Sequence, residues 1–278
     1  MVLVRKKSSK LEAFDEGKLM KSLLRANASK RVAKLVVEKV KEKLYDGIST
    51  EEIYKEAFRI LREEEKHAAI KYDLKRALFR LGPTGFYFEN YISELFREVY
   101  NYETKVRRLI RGKCVEHEVD VICKLDGDEY MLVECKYHNS QGIYTGLKTV
   151  MYTFARFLDL REGHKLKFCE NFTEVCLATN TKFSDKAKAY ASCRGIKLIG
   201  WKYPKGESLN NLIDKKCLYP VTILRNVDSF SLERLANANL LLVKDLIELS
   251  AKEIRSRTGL REKDILAIVE EAEMLLHS

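Results

Sequence analysis

Apolar residues recur every three or four positions over much of the first 82 residues, which predicts a small bundle of helices. Side chains that cap helix N-termini stand where the first and third helices begin: Asp15, and Ser49 with Glu52. A fourth helix is predicted over His67–Leu81, ahead of the dipeptide Gly82-Pro83. Because glycine and proline interrupt regular structure, we place a domain boundary there and predict a first domain at 1–82.

Between residues 84 and 205 helical spacing alternates with short runs rich in β-branched residues. One helix precedes three strands, and a long helix, a strand, a helix and a last strand follow. The strands are predicted at KVRRLI, EVDVICKL, YMLVECKY, EVCLATN and GIKLIGW. This order predicts an α/β domain at 84–205, with one mixed sheet and helices on both faces.

The remaining segment, 219–278, has no strand pattern and predicts short helices only. Ser250 and Glu253 form a second capping box there. The whole chain is therefore predicted to be an α+β multidomain protein, with helical domains on either side of the mixed sheet.

Fifty-one Lys and Arg residues against 41 Asp and Glu give the chain a net charge of +10. This excess favours a polyanionic partner such as DNA, although a lysine- and glutamate-rich thermophile surface fits it about as well. The seven cysteines form no C-x-x-C pair, so neither a disulfide framework nor a structural zinc site is expected. With no long apolar run, we expect a cytoplasmic protein without a membrane span.

Three charged residues interrupt apolar strand sequence: Asp120, Glu134 and Lys136. Since side chains alternate along a strand, Glu134 and Lys136 share one face. A three-residue connection, DGD at 126–128, would place Asp120 opposite Glu134, whereas a two-residue turn would send the two to opposite faces. Two converging carboxylates suit Mg²⁺, but a structural charge cluster at a sheet edge fits the spacing equally well.

Asp120 followed by ECK at 134–136, after a helix that contains Phe88-Glu89, resembles the PD-(D/E)xK nuclease superfamily. The similarity is to Mrr-like restriction endonucleases and archaeal Holliday-junction-resolvase-like domains, over about Gly85 to Trp201. It implies a DNA endonuclease that uses Mg²⁺ or Mn²⁺. The implied catalytic residues are Glu89, Asp120, Glu134 and Lys136, and the implied metal ligands are Asp120, Glu134 and the carbonyl of Cys135.

The first domain, with VRKK, FD and AIKYDLKRAL, resembles the ATP-cone of ribonucleotide reductases. The resemblance implies an adenine nucleotide effector, ATP or dATP, held by Val4, Lys6, Lys7 and Lys18. Ser8-Ser9 replaces the usual Asp-Gly turn, and a cone fold without a ligand stays open as an alternative.

The tail resembles tandem helix-hairpin-helix domains, which bind the DNA backbone. The implied DNA-binding residues are Gly259, Leu260, Arg261 and Lys263, with protein interaction as the alternative. Together these resemblances imply a metal-dependent DNA endonuclease that responds to adenine nucleotide. The competing hypothesis is a non-catalytic, nucleotide-sensing DNA-binding regulator built on a nuclease scaffold. The DNA structure that is cut and the effect of ATP stay open, and a homodimer is one assembly that we consider.

Overall fold

A computed structural model of the protein describes residues 2–6, 9–82 and 84–276. Lys7, Ser8 and Pro83, which enter the sequence predictions above, lie outside the described residues.

The N-terminal unit is a three-stranded sheet packed on helices. Its strands are β1 (Leu3–Arg5), β2 (Leu11–Ala13) and β3 (Ile48–Ser49), with β1 central, antiparallel to β2 and parallel to β3. Its first helices are α1 (Glu16–Arg25), α2 (Lys30–Glu42) and α3 (Thr50–Glu64). Asp15 accepts a hydrogen bond from the Lys18 amide at 2.9 Å, and Ser49 with Glu52 forms the capping box. Both capping predictions are confirmed.

The fourth helix of this unit is not continuous, so the prediction of one helix over His67–Leu81 is wrong. Two helices take its place, α4 (Lys66–Tyr72) and α5 (Leu74–Phe79). At Asp73 the backbone amide donates to the carbonyl three residues back, which tightens the turn. Its carboxylate is held by the hydroxyl of Tyr54 and by Arg80, 2.7 Å away. Tyr54 belongs to the separate helix α3 and Arg80 follows α5, and neither contact leaves a periodic pattern in the sequence.

The central unit is a five-stranded mixed sheet with helices on both faces, as the sequence predicts. Its elements are α6 (Phe86–Tyr100), β4 (Glu103–Arg111), β5 (Glu116–Lys124), β6 (Glu129–Lys136), β7 (Tyr144–Thr145), α7 (Leu147–Lys165), β8 (Asn171–Thr179), β9 (Lys182–Phe183), α8 (Asp185–Arg194) and β10 (Lys197–Ile199). The sheet order is β10-β8-β6-β5-β4, with β4, β5 and β6 antiparallel and β6, β8 and β10 parallel. The short pair β7–β9 is too brief to predict from periodicity.

Over its described residues, the C-terminal segment forms helices and no strand beyond an isolated antiparallel bridge between Pro220 and Leu242, so the helical tail predicted at 219–278 is confirmed. It follows α9 (Leu209–Lys216), and its elements are a 3-10 turn (Val221–Ile223), α10 (Ser229–Asn237), α11 (Val243–Ile247), α12 (Ala251–Thr258) and α13 (Glu262–Leu276). The capping box of Ser250 and Glu253 starts α12 as predicted.

One hydrophobic core joins the three segments. It contains buried side chains of α4 and α5, of α6 with the sheet face beneath it, and of the C-terminal helices. Hydrogen bonds cross the same boundaries: the Thr222 hydroxyl donates to the carbonyl of Ala77, and the Tyr91 hydroxyl donates to that of Leu218, both at 2.7 Å. The C-terminal segment therefore packs as part of this core. Over the described residues, no helix combines the length and the apolar character that a bilayer crossing requires.

Candidate active site

The turn between β5 and β6 determines whether the two acidic residues can meet. Leu125 pairs with Glu129, its amide donating to the Glu129 carbonyl at 2.8 Å, which leaves Asp126–Asp128 as the three-residue connection. Val121 pairs with Val133 in the same register, so the next position places Asp120 opposite Glu134. The odd-length connection that the metal-site hypothesis requires is confirmed.

Strand pairing is interrupted at Asp120. Between β4 and β5, Val106 pairs with Val121 and Arg108 with Val119, but the intervening step is missing. Arg107, at that step, has a φ of 46°, a left-handed conformation that costs a non-glycine residue about 1–2 kcal/mol. Freed from the regular ladder, Asp120 turns its carboxylate toward β6, where its Oδ2 accepts from the Cys135 amide at 2.7 Å.

Glu134 lies on the sheet face covered by α7, where it forms an ion pair with Arg156. Both side chains are largely buried, and the Arg156 Nε has no hydrogen-bond partner among the described residues. Arg156 is not among the site residues predicted from the sequence. A usable signal was present, because Arg156 falls within the stripe of α7 that otherwise buries Val150, Thr153, Phe157 and Leu160. A charged residue in such a stripe usually has a buried partner.

Glu89 lies on α6, close enough to Asp120 for their charges to interact, and only 8% of it is exposed. Arg107 holds it, with Nη1 3.3 Å from its Oε2, and the same nitrogen donates to Asn90 at 2.7 Å. Burial and the nearby charge of Asp120 raise the pKa of Glu89 to about 7. Arg107 thus contacts Glu89 on α6, while its own left-handed backbone conformation lies at the missing pairing step beside Asp120.

The charge of Asp120 destabilises the charged forms of both Glu89 and Glu134. Burial and then the charge of Asp120 raise the pKa of Glu134 to about 7, against the opposing effect of Arg156. Burial also raises the pKa of Asp120, while the Cys135 amide works in the other direction. A cation placed among these carboxylates would relieve the repulsion.

The donor set suits a hard divalent ion that keeps part of its water shell. In the described part of the chain, no three His, Cys, Asp or Glu side chains are grouped to hold a metal ion. Mg²⁺ typically binds through one or two carboxylates, with waters and substrate phosphates completing its octahedron. Asp120 and Glu134, opposite each other on one sheet face, provide the two carboxylates that such an ion requires.

The remaining residues of the motif have distinct positions. Lys136 is exposed, and its carbonyl accepts from the Thr179 hydroxyl at 2.7 Å. Cys135 packs against the core on the opposite face, and burial raises the pKa of its thiol, so metal ligation through its carbonyl stays a prediction. After them, Asn180 fixes the backbone of His138 by two hydrogen bonds, at 3.0 and 2.8 Å.

Three of the four residues predicted to hold nucleotide lie in the described part of the chain, and the charges of Lys6 and Lys18 both act on the carboxylate of Glu12. Val4 is buried in the core of the N-terminal unit, and Lys7 lies outside the described residues. Lys6 pairs with Glu12 at 3.2 Å and lines a cavity of about 950 Å³. Lys18 pairs with Asp15 at 3.5 Å and is not among the residues that line this cavity.

The hairpin between α12 and α13 carries the predicted DNA-binding residues. Gly259 ends α12 at a φ of 69°, the conformation that favours glycine in such a turn. Leu260 is buried, and its amide donates to the Thr258 hydroxyl at 3.2 Å. Arg261 pairs with Asp264 at 2.7 Å and is exposed, as is Lys263. The two basic side chains are therefore accessible, whereas Leu260 supports the turn from inside.

Three family models match the chain. Residues 2–78 match the ATP cone domain, 83–203 a restriction endonuclease domain, and 219–276 the AF1548-like C-terminal domain. These matches account for the N-terminal unit, the mixed sheet and the helical tail in turn.

Two proteins are similar over most of their own length. An uncharacterized protein of Archaeoglobus fulgidus is 44% identical over 179 residues, which is 64% of this chain and 97% of that protein. The crystal structure of AF1548, a protein of unknown function, is 39% identical with a TM-score of 0.61, and the match covers 70% of this chain and 100% of the AF1548 chain.

A third match is weaker. The MspJI restriction endonuclease in complex with a 27-mer oligonucleotide is 16% identical, and the match covers 72% of this chain and 39% of the MspJI chain. Its TM-score of 0.38 is too low to establish a common fold.

Proposed function

This chain belongs to the AF1548-like family, and on that premise we propose that it is a metal-dependent endonuclease that hydrolyses phosphodiester bonds in DNA. The restriction endonuclease domain supports a nuclease. The observation that carries the proposal is the placement of Asp120 opposite Glu134 on one sheet face, with Lys136 two residues further along β6 and Glu89 close enough for its charge to interact with both acids. Three interacting carboxyl groups with raised pKa values have a physical cost that a scaffold alone does not need.

In this proposal the chain supplies ligands and a cation at the scissile phosphate. Asp120 and Glu134 bind Mg²⁺ or Mn²⁺, and Glu89 accepts hydrogen bonds from the waters around it. When bound, the metal polarises the phosphate and lowers the pKa of an attacking water. Lys136, at the exposed end of the motif, orients that water and balances the negative charge that develops on the phosphate. Arg156 holds Glu134 before the metal binds.

DNA affinity in this proposal comes mainly from contacts to the phosphate backbone. The net charge of +10 and the exposed Arg261 and Lys263 support contacts that do not depend on base sequence. The turn at Gly259, which ends α12, positions the backbone from which both side chains extend.

We further propose that ATP or dATP binds the N-terminal unit and changes cleavage. The ATP cone match and the position of Lys6 at the large cavity support this. A ligand alters activity only if it binds two states unequally, so its effect on cleavage should accompany a change in assembly, such as formation of a homodimer. Sedimentation of the full chain with and without ATP tests this point.

The direct test of the proposed activity is incubation of the purified chain with plasmid, branched and single-stranded DNA, in Mg²⁺ or in Mn²⁺. We expect cleavage of at least one of these substrates, and none by Asp120→Ala. A wild type that binds these DNAs and cuts none of them would support the nucleotide-sensing regulator instead.

A further inference from the structure

A cavity of about 950 Å³ lies at the junction of the N-terminal unit with the rest of the chain, and we call it the junction cavity. One wall comes from β1, α1 and the helices α3 to α5. The other wall comes from beyond Gly82 and comprises Gln141, Trp201, Lys202, Asn210 and Asp214. A ligand of nucleotide size placed there would touch both sides.

The junction cavity is strongly basic. Eight lysines and arginines line it, against two carboxylates, Glu51 and Asp214. Arg76 is partly neutralised by Glu51 at 2.6 Å, and its guanidinium lies 3.4 Å from the centre of the Tyr54 ring. Such a density of positive charge with an aromatic side chain in the wall suits a ligand that carries several phosphates.

Two of the cations face each other across the junction. Arg25 ends α1 of the N-terminal unit, whereas Lys202 follows β10 of the central sheet. No carboxylate among the described residues lies within ion-pair distance of either one. Partial burial, together with the charges of Arg25 and Lys182, lowers the pKa of Lys202. Arg25 and Lys202 therefore repel each other, an effect that the nearby charge of Asp214 offsets in part, and a bound anion would relieve the repulsion.

The wall of the cavity is connected to the nuclease motif. Tyr137, directly after Lys136, donates its hydroxyl proton to the carbonyl of Phe79 at 2.8 Å, and Phe79 lines the cavity. Gln141, which also lines it, lies five residues after Lys136, in the loop that follows β6. Gly82 packs so closely on the Tyr137 ring that an added Cβ would lie 2.5 Å from it. A shift of α5 would thus reach the backbone beside Lys136.

We propose that the junction cavity binds a triphosphate chain on both walls at once, with Arg25 and Lys202 on either side of it, and that the contact of Tyr137 with Phe79 transmits occupancy to Lys136. The part that concerns Lys136 rests on the proposed nuclease function. The part that concerns binding does not, because it requires only the two walls.

The binding experiment uses calorimetry on the full chain with ATP and, separately, inorganic tripolyphosphate. We expect Lys202→Ala to weaken the binding of both by at least about fivefold, the usual scale for a lost charged contact. Lys205→Ala, an exposed lysine nearby that does not line the cavity, should stay within about twofold. A preference for ATP over tripolyphosphate would identify the nucleotide as the ligand. Unchanged affinity in Lys202→Ala, or no binding of either compound by wild type, would overturn the shared site.

The transmission experiment compares cleavage with and without ATP in wild type and in Tyr137→Phe, which loses only the hydroxyl. We expect Tyr137→Phe to bind ATP as wild type does, while the ratio of the two cleavage rates falls toward one. A ratio equal to that of wild type would overturn transmission through Phe79. If wild type cuts no DNA under any condition, the nuclease proposal fails, and the calorimetry still decides the site.

Discussion

Arg156, on α7, forms an ion pair with Glu134, on the central strand β6, and both side chains are largely buried. The contact occupies a carboxylate that the proposed metal also needs. Removing one member of a buried pair leaves the other uncompensated, which typically costs on the order of 3 kcal/mol.

We predict that Arg156→Met lowers the free energy of unfolding by about that amount without metal. Added Mg²⁺ should raise the melting temperature of Arg156→Met more than that of wild type, because Mg²⁺ then no longer competes with a cation for Glu134. Arg161→Met is the matched control, since this exposed arginine of α7 lies over the ring of Phe157 just as Arg156 lies over that of Tyr152. Equal Mg²⁺ shifts in wild type and Arg156→Met, measured by thermal unfolding, would contradict the competition.

The second prediction concerns Lys136. Lys136→Met keeps the aliphatic stem and removes the charge, so we expect cleavage about 100-fold slower, with DNA affinity within about threefold of wild type. Lys148→Met, another exposed lysine in the same unit, should cleave nearly as wild type does. Single-turnover rates and filter binding measure the two quantities. Loss of affinity that accounts for the whole loss of rate would make Lys136 a DNA-binding residue only.

The third prediction is a pH dependence of metal binding. The pKa of Glu134 is raised to about 7, so its proton-free form, which binds metal, predominates above pH 7 and declines below it. The Mg²⁺ concentration that gives half-maximal cleavage should therefore rise about tenfold from pH 8 to pH 6. Titrations of cleavage against Mg²⁺ at several pH values measure it. A requirement that stays constant, or falls toward pH 6, is incompatible with this carboxyl as a ligand.

The fourth prediction tests the α12–α13 hairpin. Deleting the tail is unsuitable, because its helices share a core with α6. Changing Arg261 and Lys263 together to alanine should instead reduce the slope of log K for DNA against log salt by about 1.8. The control pair Lys215→Ala and Lys216→Ala lies at the exposed end of α9. Equal slopes in both double variants and wild type would indicate that the hairpin serves another partner.

Local sequence signals predicted much of the fold. The caps at Asp15, Ser49 and Ser250 mark helix starts because each satisfies backbone amides within three residues of itself. These interacting groups are close in sequence, so the pattern alone contains the answer. Between β5 and β6, by contrast, the sequence leaves two turn lengths open, and the structure shows the three-residue connection Asp126–Asp128, which places Asp120 opposite Glu134.

What the sequence did not predict depends on contacts between distant elements. Arg156 reaches Glu134 only because α7 crosses β6, and Arg107 adopts its left-handed conformation only beside Asp120 and Glu89. At the break between α4 and α5, Asp73 likewise accepts a hydrogen bond from Tyr54 on the separate helix α3. The residues that line the junction cavity are spread along the sequence from Arg5 to Asp214. Periodicity cannot reveal such partners.

The central claim is that Asp120 acts at a metal-dependent nuclease site, and one rate comparison tests it most directly. Asp120→Asn keeps an oxygen that can accept from the Cys135 amide but removes the charge. Asp128→Asn makes the same change in the exposed β5–β6 turn. In Mg²⁺, on a DNA that wild type cuts, we predict that Asp128→Asn cleaves at the wild-type rate and Asp120→Asn at least about 100-fold more slowly. Equal cleavage by all three proteins would contradict the assignment.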